Sequence, residues 1–133
     1  MTQEQKELLL KDLCSRLPYG VKGVNEYAII SSPKDWRTDH TLEFAFLYRI
    51  EKYSWRPYLF PLSSMTEEQK RELQNYVGCE ITVDSHDVDF VDYSDYRMGN
   101  WNKIFDWLNK NHFDYRGLIE KGLAIDATGL NIY

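Results

Sequence analysis

The clearest alternation in the chain runs from Thr41 to Ile50. Leu42, Phe44, Phe46, Tyr48 and Ile50 are large and apolar, and Thr41, Glu43, Ala45, Leu47 and Arg49 lie between them. A period of two with one wholly apolar face predicts a strand buried on that side. Tyr27 to Ile30 is also strand-compatible and is closed by Ser31-Ser-Pro33. The two runs predict an antiparallel hairpin whose long polar loop carries Trp36. A second hairpin is expected over residues 79–93, where Ile81 and Val83, then Val88 and Phe90, alternate with polar residues. Asp84-Ser-His-Asp87 supplies its turn, because Asp and Ser side chains bond turn backbone.

Helical spacing appears in four places. Thr2 and Gln5 form a capping box ahead of residues 3–16, where Leu10, Leu13, Cys14 and Leu17 share a face with Leu9 beside it; Pro18 and Gly20 end the run. Thr66 and Gln69 repeat the box ahead of 66–77, whose Leu73, Tyr76 and Val77 are expected to face inward and whose stop is Gly78. Asn100 is the expected cap of 101–110, with Trp101, Ile104, Phe105 and Leu108 on one face and Trp107 at its edge. Asp114 is the expected cap of a short helix over 115–121 that ends at Gly122. Between these elements, residues 52–64 are expected to be irregular, since Pro57 and Pro61 each remove a backbone donor. The pattern predicts one α+β domain over residues 1–133: a small antiparallel sheet of two hairpins packed against about four helices.

Composition narrows the class without naming a function. With 133 residues and 43% hydrophobic content, the chain can bury a core without disulfides or a structural metal. A net charge of -5 disfavours binding to a phosphate backbone, which needs clustered Lys and Arg. Cys14 and Cys79 read as small core residues in a reducing compartment. Met1-Thr-Gln-Glu-Gln-Lys has no signal-peptide form, and no apolar run is long enough to span a bilayer, so the expected location is the cytoplasm and no membrane partner is called for.

Three clusters carry candidate chemistry. Asp84, His86, Asp87, Asp89, Asp92 and Asp95 are metal-ligand types, and a metal-assisted hydrolase would use His86, Asp87 and Asp89. Strand geometry puts Asp87 and Asp89 on one face and Asp92 on the other, and the calcium-loop spacing is absent, so a solvated hairpin is the preferred reading. His112-Phe-Asp-Tyr-Arg116 could pair a base with an orienting acid, but a capped interhelical turn explains it as well. No Ser or Cys has a nucleophile's context, so no catalytic residue is assigned and no cofactor is expected. Tyr19, Trp36, Tyr53, Trp55, Arg56 and Tyr58 interleave rings and cations as a stacking platform would, without a basic stripe or phosphate loop. The residues left as binding candidates are His112, Asp114, Tyr115, Arg116, Trp36 and Trp55.

Leu17-Pro-Tyr-Gly-Val-Lys22, Pro57-Tyr-Leu-Phe-Pro-Leu-Ser-Ser-Met-Thr-Glu-Glu68 and His112-Phe-Asp-Tyr-Arg-Gly-Leu-Ile-Glu-Lys-Gly-Leu-Ala124 together resemble a family of short uncharacterised proteins. That family is encoded in phage and mobile elements of Bacteroides-type gut bacteria. Phe60 departs from the basic residue expected there. The resemblance implies a setting, the cytoplasm of a host cell, and brings no activity, cofactor or catalytic residues. The function expected from all this is a non-catalytic protein-binding or accessory protein, with protein as partner rather than nucleic acid. The alternatives are the metal-assisted hydrolase and an inhibitor of a host nucleic-acid enzyme.

Overall fold

The computed structural model describes residues 2–24, 29–30, 55–85, 87–91 and 97–133. Among them are three α-helices, α1 (Gln3–Arg16), α2 (Glu67–Val77) and α3 (Arg97–Lys110). The strands are β1 (Gly23–Val24), β2 (Ile29–Ile30), β3 (Arg56–Pro61), β4 (Glu80–Val83), β5 (Val88–Val91), β6 (Phe113–Asp114) and β7 (Ile125–Asp126). The class is mixed helix and strand, as the pattern implies, but the architecture differs from two hairpins on four helices.

The largest correction concerns the proline-bearing segment expected to be irregular. It forms β3, the strand on which a five-stranded sheet assembles. β1 joins β3 antiparallel, with β2 outside it, while β6 and β7 both join β3 parallel. The sheet is therefore mixed. Successive amides of a strand point to opposite edges, and this parity explains why two prolines are tolerated. The Tyr58 and Phe60 N–H groups donate to the Lys22 and His112 carbonyls, both at 2.8 Å, along one edge. On the other edge the Leu59 carbonyl accepts from Ala127 N–H at 2.9 Å. Pro57 and Pro61 share the parity of Leu59 and flank the short β7 pairing, so the donors they lack fall at its two ends.

Side-chain parity then divides the core. Trp55 and Leu59 enter one cluster with Leu9, Leu13, Val21, Leu118 and Leu123, beneath α1. Phe60 packs against a second cluster built from α2, α3, the β4–β5 hairpin and Phe113. Gly23 is where the backbone of β1 crosses Trp55: a Cβ there would lie 2.1 Å from the indole ring. Trp55 itself is fully buried, a core ring and not the surface contact proposed from sequence.

Local signals fare better than long-range ones. Both capping boxes form: Thr2 with Gln5, and Thr66 with Gln69. Gly78 ends α2 at φ 86°, a left-handed turn that glycine enters without a Cβ clash. The β4–β5 hairpin pairs Ile81 with Phe90 and Val83 with Val88, and the Asp84 carboxylate accepts the Asp87 N–H at 2.7 Å.

The exposed faces need several corrections. On α1 the buried stripe is Leu9, Asp12, Leu13 and Arg16, one position round from the expected face, and Cys14 is exposed. Tyr76 points outward on α2. α3 begins at Arg97, so Asn100 lies within it and does not cap it; Ile104, Trp107 and Leu108 are its buried face and Phe105 is exposed. Residues 115–121 form successive turns and no helix, because Gly117 sits at φ 72°, outside helical geometry. The strand expected at 41–50, the Trp36 loop, Tyr53, His86, Asp92 and Asp95 lie outside the described residues. Ile29–Ile30 pairs with Gly23–Val24, and its expected pairing with 41–50 lies outside the described residues. No described helix is long and apolar enough to cross a membrane.

Candidate functional site: an aromatic and arginine cleft

The site begins on α1 with two charged residues in its apolar stripe. Asp12 and Arg16 stand one turn apart and are both fully buried. Arg16 Nε and Nη2 donate to the two Asp12 oxygens at 2.7 and 3.1 Å, a two-pronged pairing that fixes both planes. Nη2 also donates to the Phe113 carbonyl at 2.6 Å, tying α1 to β6. Arg116 reaches the same carboxylate from the far end of the chain: its Nη1 donates to Asp12 Oδ1 at 2.8 Å. One carboxylate thus lies between two guanidiniums.

The turn that delivers Arg116 is built by Asp114. Its carboxylate accepts the N–H groups of Arg116, Leu118 and Ile119 at 3.2, 3.0 and 2.9 Å. Sequence reading identified Asp114 as a cap correctly, although what it caps is a turn. Tyr115 lies between the charges and α3. Its hydroxyl donates to Asn109 Oδ1 at 2.9 Å, and the guanidiniums of Arg116 and Arg16 stand 4.6 and 5.3 Å from its ring centre. Stacking of cations on a phenol ring is attractive because the ring face is negative.

From Tyr115 a column of rings runs along α3. Phe105 stacks on Tyr115 with centroids 4.9 Å apart, Trp101 stacks on Phe105 at 5.4 Å, and Phe90 meets Trp101 edge-on at 5.0 Å. Trp101 and Phe105 are one helical turn apart, which places the rings one above the other. This column, with Lys11, Ser15 and Arg116, walls an open cleft of about 550 Å³. A second cleft of similar volume shares Tyr115 and Arg116 and is bounded by Ser63, Ser85, Glu120 and Lys121. Arg116 stands on the ridge between them.

His112 does not join this site. It takes a left-handed backbone, φ 64°, at the end of α3, and its ring lies on that of Tyr133 with centroids 3.6 Å apart. Burial, with the positive charges of Arg16 and Lys22, pulls its pKa down to about 4. An imidazole that stays neutral across the ordinary pH range, with no carboxylate bonded to it among the described residues, is not arranged as the base of a His–Asp pair. Burial also raises the Tyr133 phenol to about 12.

The remaining candidates are dispersed. Asp87 and Asp89 are exposed on the hairpin, each with a carboxylate oxygen 2.8 Å from the next residue's N–H. Among the described residues no group of three or more His, Cys, Asp or Glu side chains is placed to hold a metal. Tyr19 donates to Asp106, which also accepts from the Tyr76 hydroxyl at 2.9 Å, and the hydrogen bond to that carboxylate raises Tyr19 to about 12. Tyr58 is buried in the sheet, so neither it nor Trp55 offers a stacking face.

Of the sequence candidates, the structure brings Tyr115 and Arg116 together over the Asp114 turn and separates His112 and Trp55 from them. It adds Asp12, Arg16, Trp101 and Phe105, which sequence reading left out of any site. The spacing does put Asp12 and Arg16 in line with Leu9 and Leu13 on one helix face. No protein-family model, curated protein or solved structure matches the chain.

Proposed function

We propose that the protein is a non-catalytic binding protein that takes a partner protein at the cleft walled by Trp101, Phe105, Tyr115 and Arg116. The observation that carries this reading is the ring column itself. Its middle ring, Phe105, is 38% accessible, and the Tyr115 ring at one end carries an arginine braced from beneath by Asp12. Aromatic side chains and arginine dominate binding energy at protein interfaces, the rings because they bury large areas at small entropic cost and arginine because its planar fork makes several directed hydrogen bonds. The resemblance of the three sequence segments to phage and mobile-element proteins gives the reading its setting, a bacterial host cytoplasm. Inhibition of a host nucleic-acid enzyme is a narrower form of the same proposal, supported by the acidic balance of the chain.

Affinity capture from the lysate of a Bacteroides-type host tests it, with wild type, Phe105→Glu and Leu130→Glu in parallel. Leu130 is an exposed apolar residue away from the cleft and serves as the control. A protein captured by wild type and L130E but lost with F105E supports the reading. Capture that is indifferent to F105E overturns it.

A further inference from the structure

The chemistry of the docked segment follows from how charge is arranged beneath the cleft, and the inference rests on the protein-binding reading above. Asp12 supplies one negative charge to the two positive charges of Arg16 and Arg116, so the trio carries a net charge of +1. Asp114 lies close by, but its carboxylate is turned onto three backbone N–H groups. Arg16 is sealed from solvent, and among the described residues its Nη1 finds no acceptor. The surplus positive charge therefore meets solvent through Arg116, whose side chain is 17% exposed. Arg116 donates to Asp12 and, at 3.4 Å, to the Ser15 hydroxyl, and a guanidinium has more N–H donors than those two acceptors take. Lys11 is exposed on the same wall, and among the described residues Asp87 is the one carboxylate lining the cleft.

The rings point to the same kind of ligand. Phe105 lies between Trp101 and Tyr115, and Tyr115 carries the Arg116 guanidinium, so ring faces are spent within the protein. With their faces taken up in this way, the edges are what such rings have left for a ligand, the positive side of the aromatic quadrupole. Ring edges beside cations suit a carboxylate among apolar neighbours. A nucleobase needs a free ring face on which to stack.

We infer that this cleft docks an acidic peptide segment of a partner protein, with a Glu or Asp carboxylate against Arg116 and apolar neighbours against the edges of Phe105 and Trp101. The pairing would be charge-assisted and two-pronged, as guanidinium and carboxylate geometries allow. It would also be partly screened by salt, since Lys11 and Arg116 are reached from solvent.

Fluorescence anisotropy with three labelled probes tests the inference: a short peptide alternating Glu and Leu, its Gln-for-Glu twin, and an oligothymidylate. The Glu peptide is expected to bind at least about tenfold more tightly than the Gln twin, the ratio expected for one well-placed charged hydrogen-bonded pair. Arg116→Gln and, separately, Lys11→Gln should each weaken it at least about threefold. K11Q lies on an exposed helix position and keeps the test meaningful if R116Q disturbs folding. Equal binding of the two peptides, no binding of either, preference for the oligothymidylate, or indifference to both substitutions would each overturn the inference. The two proposals fail separately. If F105E abolishes partner capture while the peptides do not discriminate, the acidic segment is wrong and the protein-binding reading stands. If capture ignores F105E, both fall.

Discussion

The Tyr133 hydroxyl stands inside the ladder between β1 and β3. It accepts the Lys22 N–H at 2.8 Å and donates to the Tyr58 carbonyl at 2.8 Å, bridging two backbone groups that would otherwise bond each other. The Tyr133 ring is held in place by His112 on its face and by the Lys22 ammonium, which donates to the Ile132 carbonyl at 2.9 Å. A side chain thus replaces one rung of a sheet.

Tyr133→Phe should therefore destabilise the fold although it removes a single oxygen. It removes two hydrogen bonds at a partly exposed position, each worth about 0.5–1.5 kcal/mol net. Urea unfolding should show a lower midpoint with an unchanged slope. A midpoint equal to that of wild type would mean that the Lys22 and Tyr58 backbone groups bond each other directly instead.

The neutral His112 makes stability depend on mildly acidic pH. Its pKa is about 4 in the fold against 6.5 in the unfolded chain. Between those values the unfolded state binds the proton and the folded state does not. The contribution is therefore complete above pH 6.5 and is lost as pH falls towards 4. His112→Asn keeps a residue tolerant of positive φ and removes the titration, so its unfolding free energy should fall less steeply over that window. An NMR titration placing the wild-type imidazole near 6.5 would contradict the mechanism.

Asp12 should be among the least replaceable residues. Asp12→Ala strands two guanidiniums, one fully buried, and removing one partner of a buried pair costs about 3–5 kcal/mol. A double variant, Asp12→Leu with Arg16→Met, removes the pair's charges together and should be milder than D12A. Thermal unfolding of the three proteins side by side decides the matter; a double variant weaker than D12A would show that packing, not charge, governs the site.

Gly23→Ala should be harsh for a different reason. The new methyl would meet the Trp55 ring at 2.1 Å and the Arg56 carbonyl at 2.7 Å, and backbone cannot swing aside as a flexible side chain does. Overpacking of this kind costs about 1–3 kcal/mol or more. Near-UV circular dichroism and tryptophan emission should both change if Trp55 is displaced. Unchanged spectra and stability would show that β1 can move away from β3.

How much of this was legible in the sequence follows the range of the forces involved. Thr66 with Gln69, Asp84 in its turn and Gly78 after α2 act over a few residues, and each was readable. The role of Pro57 and Pro61 was not, because it depends on which edge of β3 meets β7, some sixty-five residues away. A tract that looks irregular by its own propensities becomes the central strand when its partners happen to need no donor at those two positions. Gly117 hid the turn at 115–121, since spacing alone does not reveal a left-handed backbone. Within the site, Tyr115 and Arg116 were noticed for their crowding. Asp12 and Arg16 were not, because what permits their burial, the Phe113 carbonyl and Arg116, lies about a hundred residues away in the chain.

The dependence of β3 on distant partners also sets an order of events. The β4–β5 hairpin, α2 and α3 close contacts within a short span of chain, whereas β3 must find β1 upstream and both β6 and β7 downstream. Contacts of such long loop length form slowly, because closure entropy is lost before the pairing compensates it. During synthesis β3 emerges well before β6 and β7, and until β7 arrives the edge that meets it waits for that partner. Its two prolines then serve a second purpose. They deny that edge the regular row of donors on which another chain could add, so the strand that waits longest for its partners is also poorly suited to pairing with strangers.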